Sequence, residues 1–529
     1  MNMKVALIAP PYPLEEAPSP PLGICYVAAA CEAAGAEVRI FDYIVSRFTP
    51  EKFCRQLDEF QPDVAGATSV TLNFPAGADI LKIAKQHNPS LITLMGGPHV
   101  TFDAENTLNF YPEIDAIVLG EGESTLMQWL PVSGNRSAWK NIMGLAFMED
   151  HRFVTTGPGE FIENLDALPL PSRYLLPLSR YKALGFPISL ITSRGCPNQC
   201  IFCLGRKMVG SRVRYRDPVL VVDEIQAILA LGFERINIAD DLFTANKNRV
   251  KALCGEILRR NIRFGWSAFA RVDTVDEETL GIMRQAGCDA VSFGIESGNP
   301  EMLKRVKKRI TLDQARQAVR ACKNTGMIAH ASFMAGLPGE SRETLTDTIN
   351  FAQELDIEHG FHFLSPFPGT TVREQLAGYD LEILSNDWTR YDANSAIVRT
   401  SRISPAEMEA LISDAYSPMT DAWEAAKKRC ADGGGTDKER LAVESEKRLK
   451  LIFGILSGDL IEELGSFNAS GDDPLRGLSV RIAGKTGMEE GLIRNYLNLW
   501  KVKNYLTVAK SSGQTHWEWA PNPVGETAC

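Results

Sequence analysis

The 529-residue sequence has no run of about 18 to 20 apolar residues, the length that a membrane-spanning helix requires. Its first ten residues lack a basic n-region, and their short apolar run is broken by Pro10 and Pro11. These two absences predict a cytoplasmic protein without a membrane anchor.

The sequence also lacks a surplus of basic residues, because 66 Asp and Glu outnumber 56 Lys and Arg and give a formal net charge of −10. A nucleic acid or an anionic membrane would favour a basic face, so neither is an expected partner. The content of 44% apolar and 23% charged residues is that of an ordinary globular protein, and the length corresponds to three or four domains.

The number of cysteines is odd, which argues against a chain held together by disulfide pairs. The chain has 11 of them and no export signal, so a disulfide framework is not expected. Eight are scattered among apolar or helical patterns, where small buried hydrophobic side chains are the simplest interpretation. These eight are Cys25, Cys31, Cys54, Cys254, Cys288, Cys322, Cys430 and Cys529. The other three, Cys196, Cys200 and Cys203, stand close together and need another explanation.

The three clustered cysteines follow an apolar run at residues 186–192 that predicts a buried strand. Loop-forming residues surround the first cysteine, so the thiols are expected on the loop that leaves this strand. Thiolates are soft ligands that suit zinc or an iron–sulfur cluster. A zinc site would need a further ligand nearby, whereas the next Cys is Cys254 and the next His is His330. A four-iron cluster on three thiolates would keep one iron free for another ligand.

The spacing Cys-x3-Cys-x-Phe-Cys, with Phe202 as the aromatic residue, resembles the signature loop of the radical S-adenosylmethionine (SAM) superfamily. The resemblance implies a [4Fe-4S] cluster on Cys196, Cys200 and Cys203, whose unligated iron chelates SAM. It also implies one-electron cleavage of SAM to a 5′-deoxyadenosyl radical, with an electron donor such as flavodoxin or ferredoxin.

Residues 186–380 alternate between short apolar segments and amphipathic ones, which predicts strand–helix units with a parallel sheet. Six strands are expected, at residues 188–192, 235–241, 264–270, 290–297, 330–336 and 361–368. Six units suit the partial (β/α)6 TIM-type barrel that the resemblance implies, with chemistry at the carboxyl ends of the strands. The resemblance assigns SAM contacts there to Phe202, Asp240, Asp241, Arg271, Glu296, Ser297 and Gly336.

Residues 1–150 alternate in the same way and predict an open, doubly wound (Rossmann-like) α/β domain. It contains neither a dinucleotide fingerprint nor a phosphate loop. Instead, Gly-Gly-Pro-His at 96–99 and Gly-Glu-Gly-Glu at 120–123 together resemble the cobalamin-binding domain of class B radical SAM enzymes. The implied cobalamin contacts are Leu22, Gly23, Ser69, Val70, Thr71, Gly96, Gly97, Pro98, His99, Gly120, Glu121 and Gly122.

The Asp-x-His-x-x-Gly element that supplies a histidine to cobalt in other cobalamin proteins is absent. The resemblance therefore implies base-off cobalamin, with contact from the backbone or the cofactor's tail favoured over His99 as a replacement ligand. The alternative for this domain is a degenerate Rossmann-like spacer that binds no cofactor.

The remaining segments are less regular. Residues 151–185, with several prolines, predict a linker that clamps the two domains. Residues 381–435 predict a tail that covers the barrel mouth or, as the alternative, a packing segment. Residues 436–529 predict a mainly helical domain whose last two helices and hairpin resemble a winged helix-turn-helix. Its balanced charge favours a docking module for substrate or partner over a DNA reader.

Together these resemblances predict a C-methyltransferase that methylates an unactivated carbon by means of the 5′-deoxyadenosyl radical and methylcobalamin. The same architecture also serves cyclases and rearrangement enzymes, for example on a tetrapyrrole, and this is the alternative prediction. A non-catalytic regulator is disfavoured by the intact cysteine loop and the missing basic patch. The substrate is expected to be an organic molecule or a peptide.

Overall fold

A computed structural model describes residues 3–468, 473–511 and 513–522 of the chain. Cys529, predicted to be a buried hydrophobic residue, lies outside them, as does the end of the predicted 436–529 domain. Within the described residues, no helix has both the length and the apolar character that crossing a bilayer demands.

The N-terminal domain is a seven-stranded sheet with helices on both faces. Its elements are β1 (Lys4–Ala9), α1 (Leu22–Ala33), β2 (Glu37–Asp42), α2 (Pro50–Phe60), β3 (Val64–Thr68), α3 (Phe74–His87), β4 (Ile92–Gly96), α4 (Pro98–Phe102), α5 (Ala104–Phe110), β5 (Ala116–Val118), α6 (Gly122–Trp129), β6 (Leu145–Glu149) and β7 (Arg152–Thr155). The strand order is β2-β1-β3-β4-β5-β6-β7. The first five strands are parallel, as expected for a doubly wound domain, and their short apolar sequences are buried on both faces.

The sheet extends beyond the expected boundary at residue 150. Strands β6 and β7 form a hairpin that adds antiparallel strands to the edge of β5, so the start of the predicted linker belongs to this domain. Leu145, Ala146 and Phe147 are fully buried, and Phe147 packs edge-to-face on Trp139. Strand β7, whose side chains are half-buried or exposed, joins the sheet by pairing with the buried strand β6.

A second parallel sheet forms the partial barrel. The connector and barrel elements are α7 (Leu178–Leu184), β8 (Ile188–Leu190), β9 (Ser193–Arg194), α8 (Gly205–Val209), β10 (Arg214–Tyr215), α9 (Pro218–Ala230), β11 (Arg235–Ile238), α10 (Lys247–Arg259), β12 (Gly265–Ala270), α11 (Glu277–Gln285), β13 (Cys288–Glu296), α12 (Pro300–Arg305), α13 (Leu312–Thr325), β14 (Ile328–Ala335), α14 (Arg342–Glu354) and β15 (Glu358–Phe363). The six barrel strands lie in the order β8-β11-β12-β13-β14-β15, all parallel, with β8 and β15 at the edges.

Five of the six barrel strands overlap their predicted positions closely, and the sixth begins earlier. It was expected at residues 361–368 and is observed at Glu358–Phe363. Pro366 and Pro368 have no N–H to donate to a sheet, so the segment leaves the sheet before them.

The C-terminal third begins with a short tail against the barrel mouth and continues as helices. Its elements are α15 (Thr371–Glu374), β16 (Glu382–Ile383), β17 (Val398–Arg399), α16 (Pro405–Ala431), α17 (Asp437–Ser457), α18 (Leu460–Leu464), β18 (Ser466–Asn468), α19 (Pro474–Thr486), α20 (Glu490–Val502), β19 (Leu506–Ser511) and β20 (Gln514–Trp519). The expected hairpin is β19–β20, and β18, which the sequence pattern did not indicate, pairs with β20.

The C-terminal helices and sheet dock on the connector before the barrel. The Asn522 side chain donates to the Tyr174 and Leu176 carbonyl oxygens at 2.5 and 2.6 Å, and Arg180 pairs with Asp459 at 2.9 Å. These contacts place the C-terminal module near the amino ends of the barrel strands, away from the strand ends where chemistry is expected.

Candidate functional site

A cavity shared by the two parallel sheets, the main cavity, lies where their carboxyl ends face each other. This main cavity has a volume of about 330 Å³ and a mostly apolar lining. Its lining from the N-terminal domain includes strand ends and the loops at 96–98 and 120–123. Its lining from the barrel includes residues around β9 and the end of β11. The barrel side contributes Ile191, Ser193, Arg194, Met208, Val209, Ala239 and Asp241.

The cysteine loop between β9 and α8 is anchored on several sides. Gly195 has φ +110°, and a side chain there would clash with the Arg212 carbonyl oxygen, so glycine is required. The amide of Cys196 donates to the Gly210 oxygen at 3.1 Å, and that of Ile201 donates to the Val306 oxygen at 3.2 Å. The loop therefore has a defined shape before any metal binds.

The three thiols lie near one another on this loop and are partly hydrogen-bonded. Asn198 Nδ2 donates to Cys196 Sγ at 3.3 Å, and the Gly205 amide donates to Cys203 Sγ at 3.4 Å. Burial raises the pKa of the Cys203 thiol to about 11, against the Gly205 N–H that lowers it, and Cys200 and Cys196 raise it further. Metal binding would displace these protons.

Two hydrogen bonds directed at the sulfurs are compatible with an iron–sulfur cluster on the three thiols. Across the described ranges, no three Cys, His, Asp or Glu side chains converge closely enough to hold one metal ion. The sulfur-directed N–H groups at Cys196 and Cys203 are of the kind that tunes cluster sulfurs.

Asp240, an expected SAM contact, forms its hydrogen bonds with other residues of the protein. It is 4% exposed and accepts from the Thr192 amide at 2.5 Å, the Thr192 hydroxyl at 2.6 Å and the Ser193 hydroxyl at 2.6 Å. Arg249 reinforces the arrangement by donating to the Thr192 oxygens. The carboxylate thus ties the end of β11 to the strand that leads into the cysteine loop.

The next residue, Asp241, is the one that lines the main cavity. Its Oδ2 accepts from the Gly195 amide at 3.0 Å, one residue before Cys196, and burial raises its pKa. Its position beside the cysteine loop, with one oxygen not used by Gly195, fits a contact to the ammonium group of SAM.

The other expected SAM residues lie at their strand ends with partners of their own. Arg271 donates to both oxygens of Asp273 at 2.9 and 3.0 Å and to the Lys308 carbonyl at 2.8 Å. Glu296, which has φ +71°, pairs with the Lys308 side chain at 2.7 Å. These are polar contacts that a ligand would have to share.

The last two expected SAM residues at strand ends, Ser297 and Gly336, directly follow β13 and β14. The Ser297 hydroxyl lies 2.9 Å from that of Thr348. The Gly336 amide donates to Glu340 Oε2 at 2.6 Å, while Glu340 Oε1 is buried and has no hydrogen-bond partner within the described residues. Burial raises the pKa of Glu340 to about 8, so this carboxyl is protonated at neutral pH. Phe202 packs against the apolar cluster next to the tail.

Seven of the twelve expected cobalamin residues line the main cavity. They are Gly23, Gly96, Gly97, Pro98, Gly120, Glu121 and Gly122. Leu22, Ser69, Val70, Thr71 and His99 stand outside the lining, although the neighbouring Thr68 belongs to it. Gly97, at φ +109°, touches the Ser69 backbone so closely that a side chain would clash, whereas Gly23 has open space around it. Apolar walls and glycine loops fit a large, flat cofactor that the backbone must approach closely.

His99 is fully buried behind this wall. Its ring stacks on Phe74 at 4.0 Å, Nδ1 lies 3.3 Å from the Thr71 hydroxyl, and Trp388 from the tail packs edge-on at 4.9 Å. Burial lowers the pKa of His99 to about 4, with Arg373 lowering it further. In this position His99 supports packing between the domain and the tail, which agrees with the preference for other contacts to cobalt.

Buried ion pairs join the two cavity walls. Arg214 forks onto both oxygens of Glu121 at 2.7 and 2.9 Å, and Arg194 pairs with Glu123 at 2.6 Å and with Glu121 at 3.3 Å. Sequence reasoning assigned Glu121 to cobalamin and missed both arginines and Glu123. The sequence did contain a signal for these pairs. Glu121 and Glu123 stand close together between glycines, and buried carboxylates need cationic partners.

Known protein families match both the N-terminal domain and the barrel. The model of the radical SAM superfamily matches residues 190–352, and that of the B12 binding domain matches residues 16–130. An uncharacterised methyltransferase of Pyrococcus horikoshii is 34% identical over 424 residues, which are 78% of this chain and 92% of that protein. The anaerobic magnesium-protoporphyrin IX monomethyl ester cyclase of Rubrivivax gelatinosus is 29% identical over 406 residues, 74% of this chain and 71% of that protein.

A solved structure extends the likeness beyond the two matched domains. The cobalamin-dependent S-adenosylmethionine radical enzyme OxsB, with aqua-cobalamin and S-adenosylmethionine bound, superposes with a TM-score of 0.68. The alignment covers 95% of this chain and 79% of that chain at 18% identity, so it shows a shared fold.

Proposed function

Because this chain belongs to the cobalamin-dependent radical SAM enzymes, with a [4Fe-4S] cluster, SAM and cobalamin as cofactors, we propose that it is a C-methyltransferase. Its target is an unactivated carbon of an organic or peptide substrate. The observation that carries the proposal is the single main cavity, which is lined both by the glycine loops of the B12 domain and by residues beside the cysteine loop.

The cavity geometry matters because the reaction needs two cofactors at one carbon. When bound, the cluster with SAM supplies a hydrogen-abstracting radical and cobalamin supplies a methyl group. The residues that face the cavity from both domains would hold the substrate carbon between them and exclude water. Positioning of this kind is worth about 7 to 11 kcal/mol for well-oriented groups.

We assign roles to the chain's own residues on the basis of their contacts. Cys196, Cys200 and Cys203 hold the cluster, and Asp241 contacts the SAM ammonium. Asp240 is a positioning residue, because all of its observed hydrogen bonds go to Thr192 and Ser193. Arg271, Glu296, Ser297, Gly336 and Phe202 remain proposed SAM contacts at the neighbouring strand ends.

The glycine loops take the corresponding role for cobalamin. Gly23, Gly96, Gly97, Gly120 and Gly122 allow the backbone to approach the cofactor. No described histidine lines the cavity, which supports base-off binding without a protein imidazole below cobalt. Leu22, Ser69, Val70 and Thr71 would support these loops from behind.

The alternative is a cyclase or rearrangement activity, favoured by the cyclase relative that spans 74% of the chain. The methyltransferase relative has the higher identity to this chain, and its alignment covers 92% of its own sequence. We also propose a cytoplasmic enzyme reduced by a flavodoxin or ferredoxin, with the C-terminal winged-helix-like module as a docking element.

The deciding experiment uses SAM labelled in its methyl group, added with reductant to anaerobic extracts of matched host strains with and without this gene. A methyltransferase yields S-adenosylhomocysteine and 5′-deoxyadenosine in comparable amounts and a labelled product heavier by one methyl group. If deoxyadenosine forms in a gene-dependent way but no label reaches a product, the methyltransferase proposal is wrong and the cyclase class replaces it.

A further inference from the structure

A second cavity lies at the opposite end of the barrel from the main cavity. It has a volume of about 220 Å³, far more than one water molecule needs, and sits where α7, α17, α20 and the turn after α20 meet the loop before β11. Pockets at such junctions between domains are common ligand sites. None of the residues assigned above to the cluster, SAM or cobalamin lines it.

The charge of this cavity contrasts with that of the chain. Four cations, Lys182, Arg235, Arg448 and Lys503, line it, with Glu234 as the one lining carboxylate, in a protein whose net charge is −10. Arg235 already holds Asp289 through two hydrogen bonds of 2.6 and 2.7 Å. The other three cations are the ones available to a ligand.

Two of these cations have no carboxylate partner among the residues that the structure describes. Arg448 makes no hydrogen bond or ion pair within the described part of the chain, and its Nε is buried. Among the described residues, the one hydrogen bond of Lys182 is long, 3.4 Å to the Leu231 carbonyl oxygen. Burial lowers the pKa of Lys182, which marks a desolvated ammonium without a compensating anion. Partly buried cations without partners are costly, and an anion would remove that cost.

Aromatic side chains form part of the remaining lining, beside aliphatic residues and glycines. Tyr505 lies under both lysines, with its ring centre 5.3 Å from Lys182 Nζ and 6.0 Å from Lys503 Nζ. Phe186, Tyr496 and Trp500 complete the apolar wall. Lys503 is only 3.8 Å from Glu234, whose side chain is 85% exposed, so this pair is weak.

From these observations we propose that the second cavity binds a small planar organic anion, an aromatic carboxylate, with its carboxylate on Arg448 and Lys182 and its ring against Tyr505 and Trp500. A guanidinium presents a planar fork that matches a carboxylate, and the aromatic wall accepts an apolar ring. Such a ligand would bridge the C-terminal module and the base of the barrel. This site is independent of the reaction proposed for the main cavity.

The test uses 2-naphthoate as the probe and its neutral isostere 2-naphthamide, titrated calorimetrically into the full-length, cofactor-loaded protein. Arg448→Gln and Lys182→Gln change only the second cavity, so any binding of the probe elsewhere is the same in every protein compared. We expect 2-naphthoate to bind at least tenfold more tightly than 2-naphthamide. Arg448→Gln and Lys182→Gln should each weaken 2-naphthoate at least tenfold and leave 2-naphthamide unchanged.

The matched control is Lys501→Gln, which removes an exposed cation from the same helix as Tyr496 but outside the cavity lining. It should not alter the affinity for 2-naphthoate. Since Arg448 has no protein partner within the described residues, Arg448→Gln should keep the ligand-free Tm and lose the Tm increase that 2-naphthoate gives the unchanged protein. Equal affinity for the two probes, unchanged affinity in both variants, or a large drop in ligand-free Tm for Arg448→Gln would each overturn the proposal.

Discussion

The two walls of the main cavity are both made of strand ends and loops, yet different forces hold them. The barrel wall is fixed by charged and hydrogen-bonded groups: Asp240 on Thr192 and Ser193, and Asp241 on Gly195. The N-terminal wall is fixed by shape, with glycines in contact with backbone and His99 stacked on Phe74 behind them. The comparison suggests that the cluster side depends on electrostatics and the cobalamin side on close packing. Glu121 and Glu123 connect the two walls.

The largest effect is expected on the barrel wall. Asp240→Ala removes an acceptor of three buried hydrogen bonds and leaves the Thr192 and Ser193 donors unpaired, at a cost of several kcal/mol. The strand that leads into the cysteine loop should lose its tie to β11, and anaerobically reconstituted protein should retain less than about a tenth of its iron. Iron analysis measures this. Asp289→Ala, at the other end of the barrel, is the control and should keep the iron; full iron in Asp240→Ala would contradict the positioning role.

The connection between the walls is the next target. Burial alone would raise the pKa of Glu121, but Arg214, the Ile162 amide and Arg194 outweigh it and hold the pKa below its ordinary value. Glu121→Gln should therefore cost about 3 to 5 kcal/mol of unfolding free energy, because it leaves Arg214 buried without its counter-ion. Denaturant unfolding measures this.

The control for the buried pair is an exposed one from the same region. Glu163→Gln breaks the Arg212–Glu163 pair, whose side chains are 80% and 67% exposed, and should change stability by about 0 to 1 kcal/mol. Similar losses in the two variants would mean that the connection between the walls has no special weight.

A pH titration separates the walls further, beginning with Glu340 on the barrel side. Its pKa is raised to about 8 by burial, so the folded state binds a proton that the unfolded state releases above its ordinary pKa of 4.5. Its contribution to stability is complete below pH 4.5 and is lost as pH rises toward 8, at up to about 1.4 kcal/mol per pH unit. Tm measured across this range should fall less steeply in Glu340→Gln. An identical slope in both proteins would refute this assignment.

His99 on the N-terminal side should respond in the opposite direction. Its pKa is lowered from 6.5 to about 4, so the folded state holds a neutral imidazole while the unfolded state binds a proton below pH 6.5. Stability is therefore lost as pH falls from 6.5 toward 4, by up to about 3 kcal/mol in total. His99→Gln should flatten the acid limb of a Tm–pH curve and leave the limb above pH 7 unchanged, whereas loss of the alkaline slope would contradict it.

The smallest effect concerns the shape of the cobalamin wall. Gly97→Ala places a side chain against the Ser69 backbone at a positive φ and should cost about 1 to 3 kcal/mol. Gly23→Ala, with open space around it, should leave Tm unchanged but reduce retained cobalamin, because the new methyl group enters the cavity. Absorption of bound cobalamin and Tm measure both. Equal effects of the two variants on Tm would show that the wall is not held by close packing.

Much of the fold followed from the sequence pattern alone. Strand β8 begins at the predicted residue 188, and β12, at Gly265–Ala270, lies within the predicted 264–270, because apolar strands are local features of a sequence. The pairing of the β6–β7 hairpin and of β18 was not predicted, since short strands gain their stability from the sheet edge that they join.

Which side chains face the cavity was decided by the tertiary structure. Asp240 and Asp241 are adjacent in sequence and look equivalent, but only their place at the strand end sends one to Thr192 and the other toward the cavity. Sequence alone determined the cysteine loop, the glycine loops and the parallel strands that place them, because these depend on local spacing and backbone freedom. The pairing of Glu121 with Arg214 spans 93 residues and exists only because two sheets meet at their carboxyl ends. Long-range charge pairs of this kind depend on how the domains pack, and no local pattern encodes them.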